Sequence, residues 1–293
     1  MYDYHVHPGY SIDAEPSGID QYCRKAAAIG LREVCFTTHL EIDPQRRHLD
    51  WFVRLDQRIV PMDDLTWLDV YFRDIENARQ KWSPRGLKIK AGLEVGYDLG
   101  LEKAIERVVR GYPFDFVMGS VHCLDHLAIS SEKESRLYFQ GRQLEAVVRE
   151  YFSVLSEAVS TGLFDCIGHL DLYRRYGRHY WGADILRAHE EFAEPLLLAI
   201  AARGMSLEVN TSGLRRGLND FHPSRDIVEL AVSLGVRLFT VGSDAHCLAH
   251  LGLGLESALE LLAGYGIGPV SYHLRQPVHR EEKGGQNHPL TIK

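Results

Sequence analysis

Short apolar runs rich in β-branched and aromatic residues recur along the chain, each followed by turn residues and then by a helical pattern. Seven such runs read as strands: "YDYHVH" (2–7), "EVCFTTH" (33–39), "LKIKAGLEV" (87–95), "FDFVMGSVH" (114–122), "FDCIGHLD" (164–171), "MSLEVNTSG" (205–213) and "VRLFTVGSDAH" (236–246). Between them the apolar spacing lengthens. Leu65, Leu68, Tyr71, Phe72, Ile75 and Ala78 fall at helical intervals and predict a helix over 64–82. Similar stretches run over 143–159 and 224–234, the second stopped by Gly235. Ser17, with Asp20 three residues on, is expected to open an earlier helix, and Gly30 to close it in a left-handed conformation. Pro195 is expected to start a fresh helix.

Strand and helix in alternation call for parallel strands joined by right-handed crossovers. Seven units, without a GxGxxG after the first strand, favour a single TIM-like (β/α)7 barrel of the α/β class over an open dinucleotide-binding sheet. The charged insertion at 41–63 is expected to be a long loop over the barrel mouth. Residues 1–280 read as one domain and 281–293 as a polar, loosely held C-terminal tail.

Composition narrows the function classes. Hydrophobic residues make up 45% and charged residues 25% of 293, with a net charge of −7 and no dense basic stripe, so long nucleic acid is not an expected partner. No apolar run approaches the roughly 20 residues that cross a bilayer, and "MYDYHVHPGY" lacks the features of a cleaved signal peptide. Five scattered cysteines without a CxxC pair fit small buried hydrophobes in a reducing, cytoplasmic compartment. Nothing in the sequence indicates an oligomeric state.

The strand ends carry the chemistry. In a parallel barrel all strand C-termini share one face. Six of the seven predicted strands deliver a metal-competent side chain there: His5 and His7, His39, Glu94, His122, His169, and Asp244 with His246. Asp13 follows in the first loop. His5 and His7 are two apart, so a strand aims both to one side. This mixture of imidazole and carboxylate suits Zn, Mn or Fe. Nine ligands exceed the needs of one ion and point to two or three divalent metal ions, with Glu94 central enough to bridge them. Without metal, so many imidazoles and carboxylates in one concave site would be costly to desolvate.

The successive motifs "HVH", "TTH", "GLEVGY", "GSVH", "GHLD", "EVNTSGLR" and "GSDAH" resemble those of the PHP (polymerase and histidinol phosphatase) family, in the same order from Tyr4 to about Val278, and lie nearest its histidinol-phosphatase branch. The resemblance implies a distorted (β/α)7 barrel with a trinuclear site: His5, His7, Glu94 and Asp244 on one ion, Glu94, His122 and His169 on a second, Asp13, His39 and His246 on a third. Thr38 departs from the family's "TDH", and with it from a hydrogen bond orienting His39. "HCLDHLAIS" stands where many relatives have an aromatic, glycine-rich loop.

Such a site suits phosphate-ester hydrolysis, in which a metal-bound hydroxide attacks phosphorus in line with the leaving oxygen. Two arginine pairs follow strand ends and are candidates for the phosphate: Arg174–Arg175, either member, and Arg215–Arg216, of which Arg215 is favoured. Asp244 or His246 is the expected proton carrier to the leaving alkoxide. From the resemblance, the expected activity is hydrolysis of L-histidinol phosphate to L-histidinol and phosphate in histidine biosynthesis. The alternatives are a phosphoesterase acting on a nucleotide or another small phosphate ester, and a barrel that binds metal or phosphate without turnover.

Overall fold

All seven predicted strands join one parallel sheet in the computed structural model, which describes residues 1–56 and 58–278: β1 (Tyr2–Val6), β2 (Glu33–Glu41), β3 (Lys88–Gly96), β4 (Phe116–Ser120), β5 (Cys166–Ile167), β6 (Ser206–Asn210) and β7 (Phe239–Gly242). Each pairs with its neighbours in chain order. The last strand returns to the first, because Val6 bridges Ala245 and the His7 N–H donates to the Ala245 carbonyl at 2.9 Å. The sheet therefore curls into a seven-stranded barrel. Crossover helices follow the strands in turn: α1 (Ile19–Ala28), α2 (Thr66–Trp82), α3 (Glu102–Gly111), α4 (Leu144–Thr161), α5 (Ala193–Ala202), α6 (Arg225–Ser233) and α7 (Leu255–Gly264). The apolar stripe of α2 buries Trp67, Leu68, Tyr71, Ile75 and Ala78 against the sheet. The tail expected at 281–293 lies outside the described residues.

Two local expectations change. Helix α1 is capped by Gly18 rather than Ser17: the Gly18 N–H donates to Gln21 Oε1 at 2.8 Å, while Asp20 accepts from Trp82 Nε1 at 2.8 Å and ties α1 to α2. The insertion at 41–63 is not a loop. It holds a short 3-10 turn (Pro44–Arg46) and an antiparallel hairpin of Phe52–Leu55 with Arg58–Pro61. The Arg54 guanidinium donates to the carbonyls of Gly9, Ser11, Ile12 and Ala14, fastening that hairpin to the loop after β1. Four-residue strands give too short an alternation to be read against a charged background.

Two irregularities in the barrel serve its C-terminal rim. The β1–β2 register slips between Asp3 and Val6, so the adjacent residues Tyr4 and His5 both reach the barrel interior. Tyr4 packs edge-on to Phe116, and His5 meets Glu94 and Glu208. β5 is only two residues long and is followed at once by Gly168, where any Cβ would collide with Ser120 Oγ and Met118 Sδ. Glycine there lets His169 come close to the axis. At the opposite end a hairpin (Ser271–His273 with Gln276–Val278) plugs the barrel, with Tyr272 packed on Phe116. No described helix is long and apolar enough to cross a membrane.

Candidate metal centre at the strand C-termini

The strand ends bring all nine predicted side chains into one cluster around Glu94. In the β2–β3 register His39 lies directly beside Glu94. Glu94 Oε2 is 3.1 Å from His5 Nε2, 3.3 Å from His7 Nε2 and 3.1 Å from His39 Nδ1. Its Oε1 is 2.8 Å from His169 Nε2 and 3.2 Å from His122 Nε2. Asp244 Oδ1 stands 3.7 Å from His7 Nε2 and 3.9 Å from His5 Nε2. Asp13 Oδ2 is 3.1 Å from His246 Nε2 and 3.5 Å from His39 Nε2, and its side chain, 54% exposed, marks the solvent side. Glu94 is thus the hub.

Whether the cluster suits a cation can be judged from its bonding. His5 Nε2, His7 Nε2, His39 Nδ1 and Glu94 Oε2 are all buried and none makes an aligned hydrogen bond, despite their short separations. Buried polar atoms are nearly always hydrogen-bonded. Four orphans converging on one point fit shared positive charge between them. Their atoms fall into overlapping groups of three with metal-ligand spacing: His5 with His7 and Asp244, His5 with Glu94 and His169, His7 with His39 and His246. The donor set is imidazole and carboxylate, as zinc and its neighbours prefer.

The back sides of the imidazoles are held by partners that orient them. His5 Nδ1 lies 2.7 Å from Glu208 Oε1, and Glu208 is seated by Asn210 Nδ2 at 3.2 Å. Gly242 makes room for this contact, since a Cβ there would strike both Glu208 and His5. His122 Nδ1 lies 2.6 Å from Glu41 Oε1. His7 Nδ1 is 3.3 Å from Ser11 Oγ, which also accepts the His39 N–H at 3.2 Å. Thr38 Oγ1 is buried without a partner, so Ser11 and Glu94, not residue 38, set the position of His39. The sequence reading missed Glu41 and Glu208. A signal existed for Glu41, which sits two after His39 on β2 and therefore on the same face.

Backbone and charge both bear the mark of a special site. His169 (φ 36°) and Asp244 (φ 54°) occupy left-handed backbone that residues with side chains seldom adopt. His7 stacks at 4.2 Å on His39 and 4.0 Å on His246, and burial together with those two rings holds its pKa well below the usual value. Burial would raise the pKa of Glu94, but His5, His122 and His39 outweigh it and hold the carboxyl well below the ordinary range. The imidazoles thus take the place of a cation beside this carboxylate.

A cavity of about 520 Å³ opens over the cluster. Arg175 and Arg216 line it; Arg174 and Arg215 do not. Arg174 is buried on Asp171 at 2.6 Å, and Asp171 also takes His222 Nδ1 at 2.6 Å and the Ser224 N–H at 2.9 Å. Successive residues opening the helix Arg174–Trp181 diverge by about 100°, so one arginine turns into the core while the next faces the cavity. Arg215 instead donates at 2.5 Å to the carbonyls of Ser243 and Asp244, bracing the turn that carries Asp244. Of the expected phosphate candidates, Arg174 and Arg215 thus spend donors on protein acceptors, while Arg175 and Arg216 face the cavity. Arg175 has only 10% of its side chain exposed, its Nε has no partner, and its Nη2 lies 3.4 Å from Asp244 Oδ2. Burial, with Arg216 nearby, pushes its pKa down to about 10, leaving a charged guanidinium with spare donors at neutral pH.

The PHP domain family model matches residues 3–212. A protein named probable histidinol-phosphatase from Deinococcus radiodurans is 30% identical over 87% of this chain and 90% of its own. The histidinol-phosphatase of Lactococcus lactis is 27% identical over 96% and 97%. The crystal structure of a histidinol phosphate phosphatase from L. lactis, complexed with Zn, L-histidinol and phosphate, superposes with a TM-score of 0.77 at 25% identity, covering 95% of this chain and 98% of that one.

Proposed function

The chain belongs to the PHP domain family, and from that premise we propose that it is a metal-dependent phosphomonoesterase hydrolysing L-histidinol phosphate to L-histidinol and phosphate. The observation that carries this reading is Glu94, a buried carboxylate met by five imidazoles, three of which (His5, His7 and His39) turn an inward nitrogen without a hydrogen-bond partner toward its equally unpartnered Oε2. Likeness to histidinol-phosphatases over nearly the whole chain supports the substrate. One barrel domain over residues 1–280, working in the cytoplasm on a small phosphorylated substrate, carries the activity.

Two or three divalent ions, with zinc, manganese and iron all compatible with the donors, would be held by the nine residues: His5, His7, Glu94 and Asp244; Glu94, His122 and His169; Asp13, His39 and His246. When bound, such ions bring the pKa of a coordinated water toward 7 and neutralise charge on phosphate oxygens. The protein's own groups do the rest. Arg175 and Arg216 grip the phosphate from the cavity wall, where Arg175 has donors to spare. Glu208 and Glu41 fix the rings of His5 and His122. Asp244 and His246, 3.2 Å apart, form the pair from which a proton reaches the leaving alkoxide.

The test is a comparison of kcat/KM for histidinol phosphate, mononucleotides and sugar phosphates, with metal content measured alongside. Histidinol phosphate should lead by tenfold or more. A nucleotide leading by that margin would reassign the substrate, and no turnover of any ester by a metal-loaded preparation would reduce the barrel to a binding protein.

A further inference from the structure

The cavity has two unlike walls. Its metal-centre side presents Arg175 and Arg216, whereas another part is lined by Arg46, Asp50 and Glu134. Arg46 and Asp50 belong to the insertion after β2, and Glu134 to the helix Glu132–Phe139. Arg46 is buried and joins the two carboxylates: its Nε and Nη2 donate to Asp50 Oδ2 at 2.7 and 2.5 Å, and its Nη1 to Glu134 Oε2 at 2.6 Å. Glu134 Oε2 also accepts the Ala128 N–H at 3.0 Å.

A structural role accounts for only part of this. One carboxylate neutralises Arg46, and Glu134, with both oxygens engaged, locks the insertion to its neighbouring helix. The second carboxylate is surplus. Asp50 Oδ1 accepts no hydrogen bond from the described residues, and its side chain keeps 28% of its surface open. Its free oxygen, open to the cavity and backed by a carboxylate that Arg46 holds in place, is available to a cationic ligand.

We propose that Asp50 is a specificity-determining residue whose free carboxylate oxygen accepts a charge-assisted hydrogen bond from a protonated nitrogen on the alcohol portion of the substrate. Arg46 positions that carboxylate. The cavity is thus bipolar, suiting a phosphomonoester that carries its own cation. The inference rests on the phosphomonoesterase reading and narrows its substrate class.

Its test uses the metal-loaded enzyme and Asp50→Asn, which keeps an oxygen to accept from Arg46. Histidinol phosphate is compared with p-nitrophenyl phosphate, and phosphoethanolamine with propyl phosphate. A single charged hydrogen bond lost should lower each cationic-to-neutral kcat/KM ratio about tenfold or more, chiefly through KM. Calorimetry should show L-histidinol binding weakened by a similar factor, with inorganic phosphate binding within about twofold of wild type as the check on folding. Asp50→Glu should retain part of the discrimination. Unchanged ratios, or equal losses on cationic and neutral esters, overturn the proposal. The phosphoethanolamine pair reads Asp50 even where histidinol phosphate is not the preferred ester, so the two readings fail separately.

Discussion

The two ends of the barrel bury similar groups and treat them in opposite ways. At the N-terminal end Glu33 accepts from Tyr4 and from Ser271 Oγ at 2.5 Å. Asp165 takes Arg275 through Nε at 3.1 Å and Nη2 at 2.9 Å, plus the Val117 N–H at 2.8 Å. Asp115 accepts from Arg79 Nη2 at 2.7 Å and from the Ala91 N–H at 3.0 Å. At the C-terminal rim, His5, His7, His39 and Glu94 each leave an inward atom unpaired. Burial and polarity alone therefore do not identify a site. Unmet bonding capacity gathered at one point does: Thr38 Oγ1 and a few other buried atoms are unpaired singly, but only at the rim do four such atoms converge, a cost that a shared ligand there removes.

Substitutions at the two ends should separate function from stability. The largest effect belongs to Glu94→Ala: phosphatase activity should fall on the order of 10³-fold, since several kcal/mol of charge stabilisation depend on the ions it would hold. Elemental analysis should show fewer ions per chain. Arg275→Met, at the plug, should do the reverse. It leaves Asp165 short of its cation, so chemical denaturation should show a loss of about 2 kcal/mol, with metal content and KM unchanged. The smallest effect is a pH dependence at Asp171, a fully paired carboxylate behind the rim. Burial would raise its pKa, but Arg174 and His222 hold it below the usual carboxylate range. Its contribution is therefore complete well above about pH 4, declines below that, and is gone once pH has dropped through the lowered native value. The stability gap between wild type and Asp171→Asn, followed by denaturant titration, should be flat from neutral pH to about pH 4 and shrink below it.

The strand ends were legible because barrel topology turns seven separate strand termini into one surface, and His5 through His246 needed no finer detail. The arginines were not. Which of two adjacent residues at the start of a helix faces a cavity depends on where the helix begins, and that is decided by the turn after His169 and by the waiting Asp171. Arg215 was drawn to the carbonyls of Ser243 and Asp244, acceptors some thirty residues away in the chain that no local pattern announces. Glu208 escaped notice because it lies within β6 and reaches His5 only after the barrel closes. The hairpin in the insertion was hidden by its brevity, and the plug at 271–278 by the same cause.

The claim that the rim is built for metal is tested most directly by thermal unfolding of the chelated chain against the same chain titrated with zinc, manganese or iron. At a free metal concentration a hundredfold above Kd, one site adds about 2.7 kcal/mol, which for a domain of this size raises Tm by roughly 5–10 °C. A rise of that order, saturating at two or three ions per chain and absent in Glu94→Ala, is the predicted result. A melting temperature that stays fixed in all three metals, with none retained after desalting, would contradict it.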